Sequence, residues 1–183
     1  MKNNKKLVLS ALIISIIGVS AVAFGYFTVQ RVGDNGNVLS GRVAKNGPKI
    51  TFTENREGIT LKDAYPMPDE LGEAQSEAYV FSIKNEENKN VDAKIIMEVS
   101  KSSTLDDSLV NVSINGIVVT LGALTQEKAS SGYKTAYVLK TEKLTPGKTT
   151  ENTIKMWINE NGTKENASSK EWASSILVVP EFA

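Results

Sequence analysis

Apolar and polar residues alternate along much of this chain, the spacing that sends successive side chains to opposite faces of a β-strand. The longest run extends from Val91 to Val99, where one face is wholly apolar and the other is largely polar. The same alternation predicts further strands at 48–53, 77–85, 133–141, 151–159 and 174–180. Each segment therefore has the pattern of a strand with one face in a core and the other toward solvent.

Turn sequences indicate how consecutive strands connect. Asn115-Gly116 separates two alternating runs, 110–114 and 117–121, and favours a two-residue β-hairpin. Thr145-Pro146-Gly147-Lys148 is typical of a tight turn. One or two helical turns are expected after Pro68, and an exposed loop at 159–170. Seven or eight short strands predict an all-β fold, a two-sheet antiparallel β-sandwich of jelly-roll or immunoglobulin-like type.

The N-terminal segment has a different pattern. Three lysines lie within the first six residues, and residues 7–27 carry no charge. Ala21 and Ala23 place small residues where a signal peptidase reads them, so cleavage would leave Phe24 as the new N-terminus. We therefore predict a cleaved signal peptide. The alternative is an uncleaved membrane-anchor helix at 7–27, since about 20 apolar residues can cross a bilayer.

Residues 1–23 then form the signal peptide, 24–47 an extended segment or linker, and 48–183 the sandwich domain. In both interpretations the lysines stay inside and the rest of the chain is exported. We expect the protein to be secreted or displayed on the cell surface, with the export machinery and a signal peptidase as partners. It would contact a membrane only through its N-terminal segment.

Composition excludes several classes of function. Residues 1–23 contain three lysines and no acid, which leaves 18 basic and 21 acidic residues, a net charge of −3, in the remainder. A nucleic-acid partner normally requires a basic excess, so none is expected. The chain has no histidine and no cysteine, which rules out a histidine-based triad, a cysteine nucleophile and a His/Cys zinc site. We predict a protein that is not an enzyme and has no cofactor or metal.

Acidic clusters offer one alternative interpretation. They comprise Asp69, Glu70 and Glu73, the pair Asp106-Asp107, and the segment Asp34-Asn35-Gly36-Asn37. Their oxygens could bind a cation, but none has the ligand ladder of a calcium loop. Solvated surface acids are the favoured explanation.

Aromatic residues offer a second alternative. Trp157 lies on the opposite side of its predicted strand from Ile154, Met156 and Ile158. If exposed, Trp157 with Tyr133 or Tyr137 would form an aromatic platform for a sugar. Packing in the core or at a sheet edge is favoured, because aromatic side chains are common in the strands of any sandwich.

Several motifs carry a family resemblance. The apolar segment runs into Tyr26-Phe27-Thr28, and Gly36-Asn37-Val38-Leu39-Ser40-Gly41-Arg42-Val43 follows before the first strand. Leu144-Thr145-Pro146-Gly147-Lys148 precedes a strand in the manner of an L-x-P-G-x turn. In order and spacing these motifs resemble the TasA/camelysin family of exported bacterial fibre and biofilm-matrix proteins, which have SipW-type signal peptides. The chain has Thr28-Val29-Gln30-Arg31 where that family usually has an acidic residue.

The resemblance implies a structural protein of extracellular fibres, in which the N-terminal segment of one subunit adds as a strand to a sheet of its neighbour. The expected donor strand comprises Val38, Leu39, Ser40, Gly41, Arg42 and Val43. The partner would then be a second copy of this chain. The same stretch is equally compatible with an ordinary first strand or a linker. The alternative function is a membrane-anchored, monomeric binding module for a carbohydrate or a protein.

Overall fold

The computed structural model describes residues 42–44, 47–54, 64–170 and 172–183. Within these ranges the chain is mostly β-structure, and its strands form two five-stranded sheets. The strands are β1 (Arg42–Val43), β2 (Ile50–Glu54), β3 (Tyr79–Asn85), β4 (Val91–Ser100), β5 (Val110–Ile114), β6 (Ile117–Thr120), β7 (Gln126–Glu127), β8 (Tyr133–Leu144), β9 (Thr149–Ile158) and β10 (Ser174–Phe182). The helices are α1 (Asp69–Gln75) and α2 (Lys164–Ala167), with 3-10 turns at Asp107–Leu109 and Leu121–Ala123.

The predicted signal peptide or anchor helix lies outside the described residues, as do residues 38–41 of the predicted donor strand. In the part of the chain that the structure describes, no helix is both long enough and apolar enough to cross a bilayer. The placement of the export segment therefore stays a prediction.

The strands fall into two sheets, called sheet A and sheet B below. Sheet A has the strand order β1-β10-β4-β8-β7, and sheet B has the order β2-β3-β9-β5-β6. Neighbouring strands run antiparallel except β1 and β10, which are parallel. The prediction of an all-β chain with antiparallel sheets is therefore confirmed for the described residues.

Both sheets supply side chains to one hydrophobic core. Ile95 and Met97 of β4 in sheet A are fully buried, and so are Ile83 of β3 and Ile154 of β9 in sheet B. These residues occupy the apolar positions of the alternating runs, so the predicted inward face of each strand is confirmed. Burial of one such aliphatic side chain stabilises the fold by about 1.5–3 kcal/mol.

The opposite face of β4 differs from the prediction. Glu98 belongs to the polar set, but its side chain is 0% exposed, and it accepts a hydrogen bond of 2.7 Å from the main-chain N–H of Ser130. Ile96 is also buried, at 4% exposure. The physical reason is position: β4 is the central strand of sheet A, and the segment before β8 folds over the end of its outer face.

The two predicted turns are present. Asn115 and Gly116 have φ angles of 52° and 81°, which are the left-handed values that a two-residue hairpin of type I′ requires. At the second turn Gly147 has φ 70°, and Lys148 N–H donates to the Thr145 carbonyl over 3.0 Å. A residue with positive φ following a proline is the geometry of a type II turn.

The stretch 159–170 is not simply an exposed loop, as the sequence predicted. Within it α2 forms a single helical turn, because Thr163 and Asn166 make a reciprocal capping box at its start. Ala167 at its end is 0% exposed and belongs to the hydrophobic core. One small apolar residue therefore fixes an otherwise polar segment to the domain.

Candidate functional site

The end of the predicted donor strand lies at one edge of sheet A. Arg42 pairs with Leu177 and Val43 with Val178, so this short strand runs parallel to the C-terminal strand β10. Ala44 N–H extends the pairing by donating to the Val178 carbonyl over 2.9 Å. The other side of β10 pairs with β4 over nine residues. Arg42 and Val43, two of the predicted donor residues, therefore form a strand that pairs within their own chain.

The chain remains close to β10 after this pairing. A Cβ atom on Gly47 would lie 2.5 Å from the carbonyl oxygen of Pro180, a distance that real Cβ atoms do not tolerate. Gly47 also has φ +137°, a value that L side chains rarely adopt. Both facts require glycine here, so the local sequence permits a close crossing of the chain over β10.

Trp157 packs into the fold, as the favoured interpretation predicted. Its side chain is 1% exposed, and α1 covers it. The covering is very close, because a Cβ atom on Gly72 of α1 would lie 2.3 Å from the indole ring. The indole Nε1–H donates to Asp69 Oδ1 over 3.2 Å.

The two tyrosines of the predicted sugar platform make hydrogen bonds to other residues of the domain. Tyr137 is 2% exposed and donates to Asp107 Oδ2 over 2.6 Å, and its burial together with that carboxylate raises its pKa above the usual value. Tyr133 is partly buried, and its hydroxyl lies 2.9 Å from Ser175 Oγ. The platform interpretation is wrong, because the indole and both phenols are committed to contacts within the domain.

The candidate cation ligands are also engaged by neighbouring side chains. Lys155 Nζ lies 3.5 Å from Glu73 Oε2, and Asp107 Oδ1 lies 3.2 Å from Lys134 Nζ. Asp106 accepts from Ser108 N–H over 2.8 Å, and the hydrogen bonds from Ser108 lower its pKa. No group of three metal-ligating side chains exists among the described residues, and Asp34–Asn37 lies outside them.

A cluster of polar side chains around Glu142 links the two sheets. Glu142 of β8 accepts hydrogen bonds from Thr150 (2.7 Å) and Asn152 (3.0 Å) of β9, and from Lys140 (2.9 Å) on its own strand. Asn152 is 0% exposed. Burial alone would raise the pKa of Glu142, but these three hydrogen bonds outweigh it and hold the pKa below its usual value. The arrangement joins sheet A to sheet B through a charged group.

A polar pocket of about 320 Å³ lies beside α1 and the end of sheet B. Its lining residues are Met67, Pro68, Asp69, Glu70, Asn111, Thr120, Asn159, Glu160 and Asn161. Asn111 and Asn159 are both 6% exposed. The sequence did not indicate either amide as a site residue, because each is an ordinary polar position and they are far apart along the chain.

The comparisons with known proteins give little. No protein-family model and no curated protein matches the chain. One solved structure that aligns with it is that of AvmM, described as catalysing macrocyclization in alchivemycin A biosynthesis. The identity is 11% and the TM-score 0.37, over 85% of this chain and 96% of the other.

The predicted cleavage residues Ala21, Ala23 and Phe24 lie outside the described residues. Cleavage, export and polymerisation therefore stay predictions. The described residues offer two candidate interaction features, the edge of sheet A at β10 and the polar pocket beside α1.

Proposed function

We propose that this protein is an exported, non-catalytic structural subunit of the bacterial cell surface or extracellular matrix, which assembles by N-terminal strand addition. In this proposal residues 1–23 are removed during export, and residues 38–43 of one copy add to a sheet of the next. The TasA/camelysin resemblance suggested this function, and no cofactor or nucleic acid takes part in it.

We further infer a jelly roll for the domain rather than an immunoglobulin-like sandwich. The supporting observation is strand order. In sheet A the last strand, β10, lies between β1 and β4, with β8 next, and in sheet B the late strand β9 lies between β3 and β5, with β6 next. This interleaving of early and late strands in both sheets is the double Greek-key order of a jelly roll. An immunoglobulin domain pairs its last two strands in one sheet, whereas β9 and β10 belong to different sheets. The last strand of the chain is thereby placed beside the N-terminal segment.

One observation carries the proposed assembly: Arg42 and Val43 add in parallel to the edge of β10. Continuation of this register would bring Gly41, Ser40 and Leu39 alongside the first residues of β10. Strand addition depends on main-chain hydrogen bonds, which are the same whether the added segment belongs to the same chain or to another. The two pairings then compete through concentration and linker strain.

Disulfide trapping distinguishes the two pairings. The chain has no cysteine, so a bond can form only between introduced thiols. The register places residue 42 opposite residue 177. A mixture of R42C and L177C single variants should form mixed disulfide dimers if the strand is exchanged between copies. The double variant serves as the control for pairing within one chain.

A mixture that gives no mixed dimer, while the double variant closes an internal bond, would show that β1 is an ordinary first strand. That result would support the membrane-anchored monomeric module. Prolines at Val38 and Ser40 provide a second test, because they remove two backbone donors and should abolish polymers seen by electron microscopy. The monomer should remain folded.

Intact mass of the protein recovered outside the cytoplasm tests export itself. The proposal expects a mature chain that begins at Phe24. Retention of the N-terminal 27 residues in a membrane-bound form would reject cleavage and favour the anchor.

A further inference from the structure

The polar pocket beside α1 has the construction of a preformed ligand site. Its volume of about 320 Å³ lies at the lower end of the range for small-molecule pockets, roughly 300–1,000 Å³. Its lining includes the buried amides of Asn111 and Asn159. Asn159 Nδ2 donates to Ser108 O over 2.9 Å and to Asn111 Oδ1 over 3.2 Å. These two amides are therefore held in place before any ligand arrives.

Asp69 is oriented in this pocket by two donors on one of its oxygens. Asn111 Nδ2 donates to Asp69 Oδ1 over 2.7 Å, and Trp157 Nε1 donates to the same atom over 3.2 Å. Because the carboxylate cannot rotate without losing both bonds, its second oxygen, Oδ2, has a fixed position. That oxygen accepts no hydrogen bond from the described residues. Asp69 thus presents one prealigned acceptor.

The pocket also offers a donor and a second acceptor beside this oxygen. The amide nitrogen of Asn111 has two hydrogens, of which Asp69 accepts one. Thr120 Oγ1 donates to Asn111 Oδ1 over 2.9 Å and retains its lone pairs as acceptors. A hydroxyl group both donates and accepts, so a ligand with adjacent hydroxyls matches this mixture.

Charge and shape disfavour anionic and strongly apolar ligands. The lining includes three carboxylates and no lysine or arginine, which disfavours an anion. The apolar lining is small, since Met67 and Pro68 alone provide it. We propose that the pocket binds a neutral saccharide unit, with Asp69 Oδ2 accepting from a ring hydroxyl and Asn111 donating to its neighbour. This site is independent of strand addition at β10.

The indole N–H groups provide the measurement. The chain has two tryptophans, Trp157 and Trp172, so a spectrum of ¹⁵N-labelled protein contains two indole signals. Trp157 Nε1–H donates to Asp69 and should shift as a sugar binds, whereas Trp172 lies outside the pocket lining and should not. The titration uses the full chain in a zwitterionic detergent without sugar, and glucose, galactose, mannose and N-acetylglucosamine as probes.

Asp69→Asn is the decisive variant. It keeps Oδ1 as the acceptor for Asn111 and Trp157 but replaces Oδ2 by an amide donor, so the fold should persist while the acceptor is lost. We expect at least a tenfold loss of affinity for the sugar that binds best. Asp92→Asn, on β4 of sheet A, removes the same charge at a distance and should leave the affinity unchanged.

Three results would overturn the proposal. Both indole signals could stay fixed with every neutral sugar at tens of millimolar concentration. Asp92→Asn could weaken binding as much as Asp69→Asn. Glucosamine could bind while N-acetylglucosamine does not, which would assign the pocket to cationic amines. Because R42C and L177C trapping does not involve this pocket, failure here is separate from failure of the fibre proposal.

Discussion

Sheet A ends in a two-residue strand on each side, and the two strands are held in different ways. At one end, Gln126 and Glu127 of β7 pair with β8, and Glu127 Oε1 also accepts from Lys94 Nζ over 2.8 Å. At the other end, Arg42 and Val43 of β1 pair with β10, and Val43 does not belong to the hydrophobic core. The β7 end therefore carries an ion pair in addition to its main-chain pairing, while the β1 end pairs with β10 through its main chain.

If assembly proceeds by strand addition, this difference favours the β10 edge for exchange between copies. A strand fixed by an ion pair is specific to its own sequence, but main-chain hydrogen bonds can be supplied by any extended segment. Natural edge strands are commonly protected by charges, especially lysine, and by short length. The proposal of strand addition therefore takes β10 as the permissive edge of sheet A.

The largest expected effect comes from a substitution in the core of β4, the strand that lies between the two edges of sheet A. Ile95 of β4 is 0% exposed, and β4 pairs with both β10 and β8. Replacing Ile95 by Asp buries a carboxylate without a partner, at a cost of several kcal/mol. Urea denaturation should show a loss large enough to unfold much of the population. Both edges would be lost together.

Thr141→Val serves as the matched control, because Thr141 is exposed on the neighbouring strand β8 and pairs with Lys94. Its unfolding free energy should stay within about 0.5 kcal/mol of the parent. Similar losses in both variants would contradict the inward orientation of Ile95.

Ile95 was identifiable from sequence alone, and so were the strands with strict alternation. The Asn115-Gly116 hairpin followed from the φ requirement of its turn. By contrast, β7 has two residues, too few for a period to appear. The pocket depends on Asp69 and Asn111, which are 42 positions apart. The packing of α1 against sheet B brings these two residues together. The sequence marked Asp69 as one of an acidic cluster, but local pattern carries no signal for its partner Asn111.

The next effect concerns the protected side of sheet A. Glu142→Gln keeps the shape of the side chain but removes the charge that Lys140, Thr150 and Asn152 surround. Hydrogen bonds to charged groups contribute about 1.5–3 kcal/mol, so we expect a loss of about 1–3 kcal/mol at pH 7. Urea denaturation measures it. Glu151→Gln, at an exposed position of β9, is the control and should change stability by about 0.5 kcal/mol or less.

The same pair of proteins should show a defined pH dependence. The folded pKa of Glu142 lies below its usual value, so its contribution is complete above the unfolded pKa of about 4.3 and is lost as pH falls through the folded pKa. The stability difference between the parent and Glu142→Gln should be constant above about pH 5.5 and shrink below about pH 4. A difference that stays constant into acid would mean that the charge of Glu142 is not responsible.

A smaller effect is expected where β7 is anchored. Lys94→Gln breaks the ion pair with Glu127, in which the two side chains are 29% and 36% exposed. Exposed pairs contribute little, so global stability should fall by about 0.5–1 kcal/mol. Val138 N–H, which donates to Thr125 O over 3.0 Å, should exchange faster with solvent because β7 is released. Unchanged exchange would show that β7 does not need its side-chain partner.

The smallest effect tests the permissive edge itself. Leu177 is partly buried and pairs with Arg42, so Leu177→Lys places a second cation opposite that arginine, and Leu177→Glu places an anion there. Cross-strand charge pairs of this kind contribute about 0.2–0.5 kcal/mol, the lower part of the range for such pairs. The Glu variant should therefore polymerise at lower protein concentration than the Lys variant in sedimentation experiments, although their unfolding free energies stay close. The difference should vanish at about 1 M salt, where the Debye length is near 3 Å. Equal polymerisation of the two variants at low salt would remove Arg42 from the assembly contact and leave β10 with no advantage over β8 as an edge for strand addition.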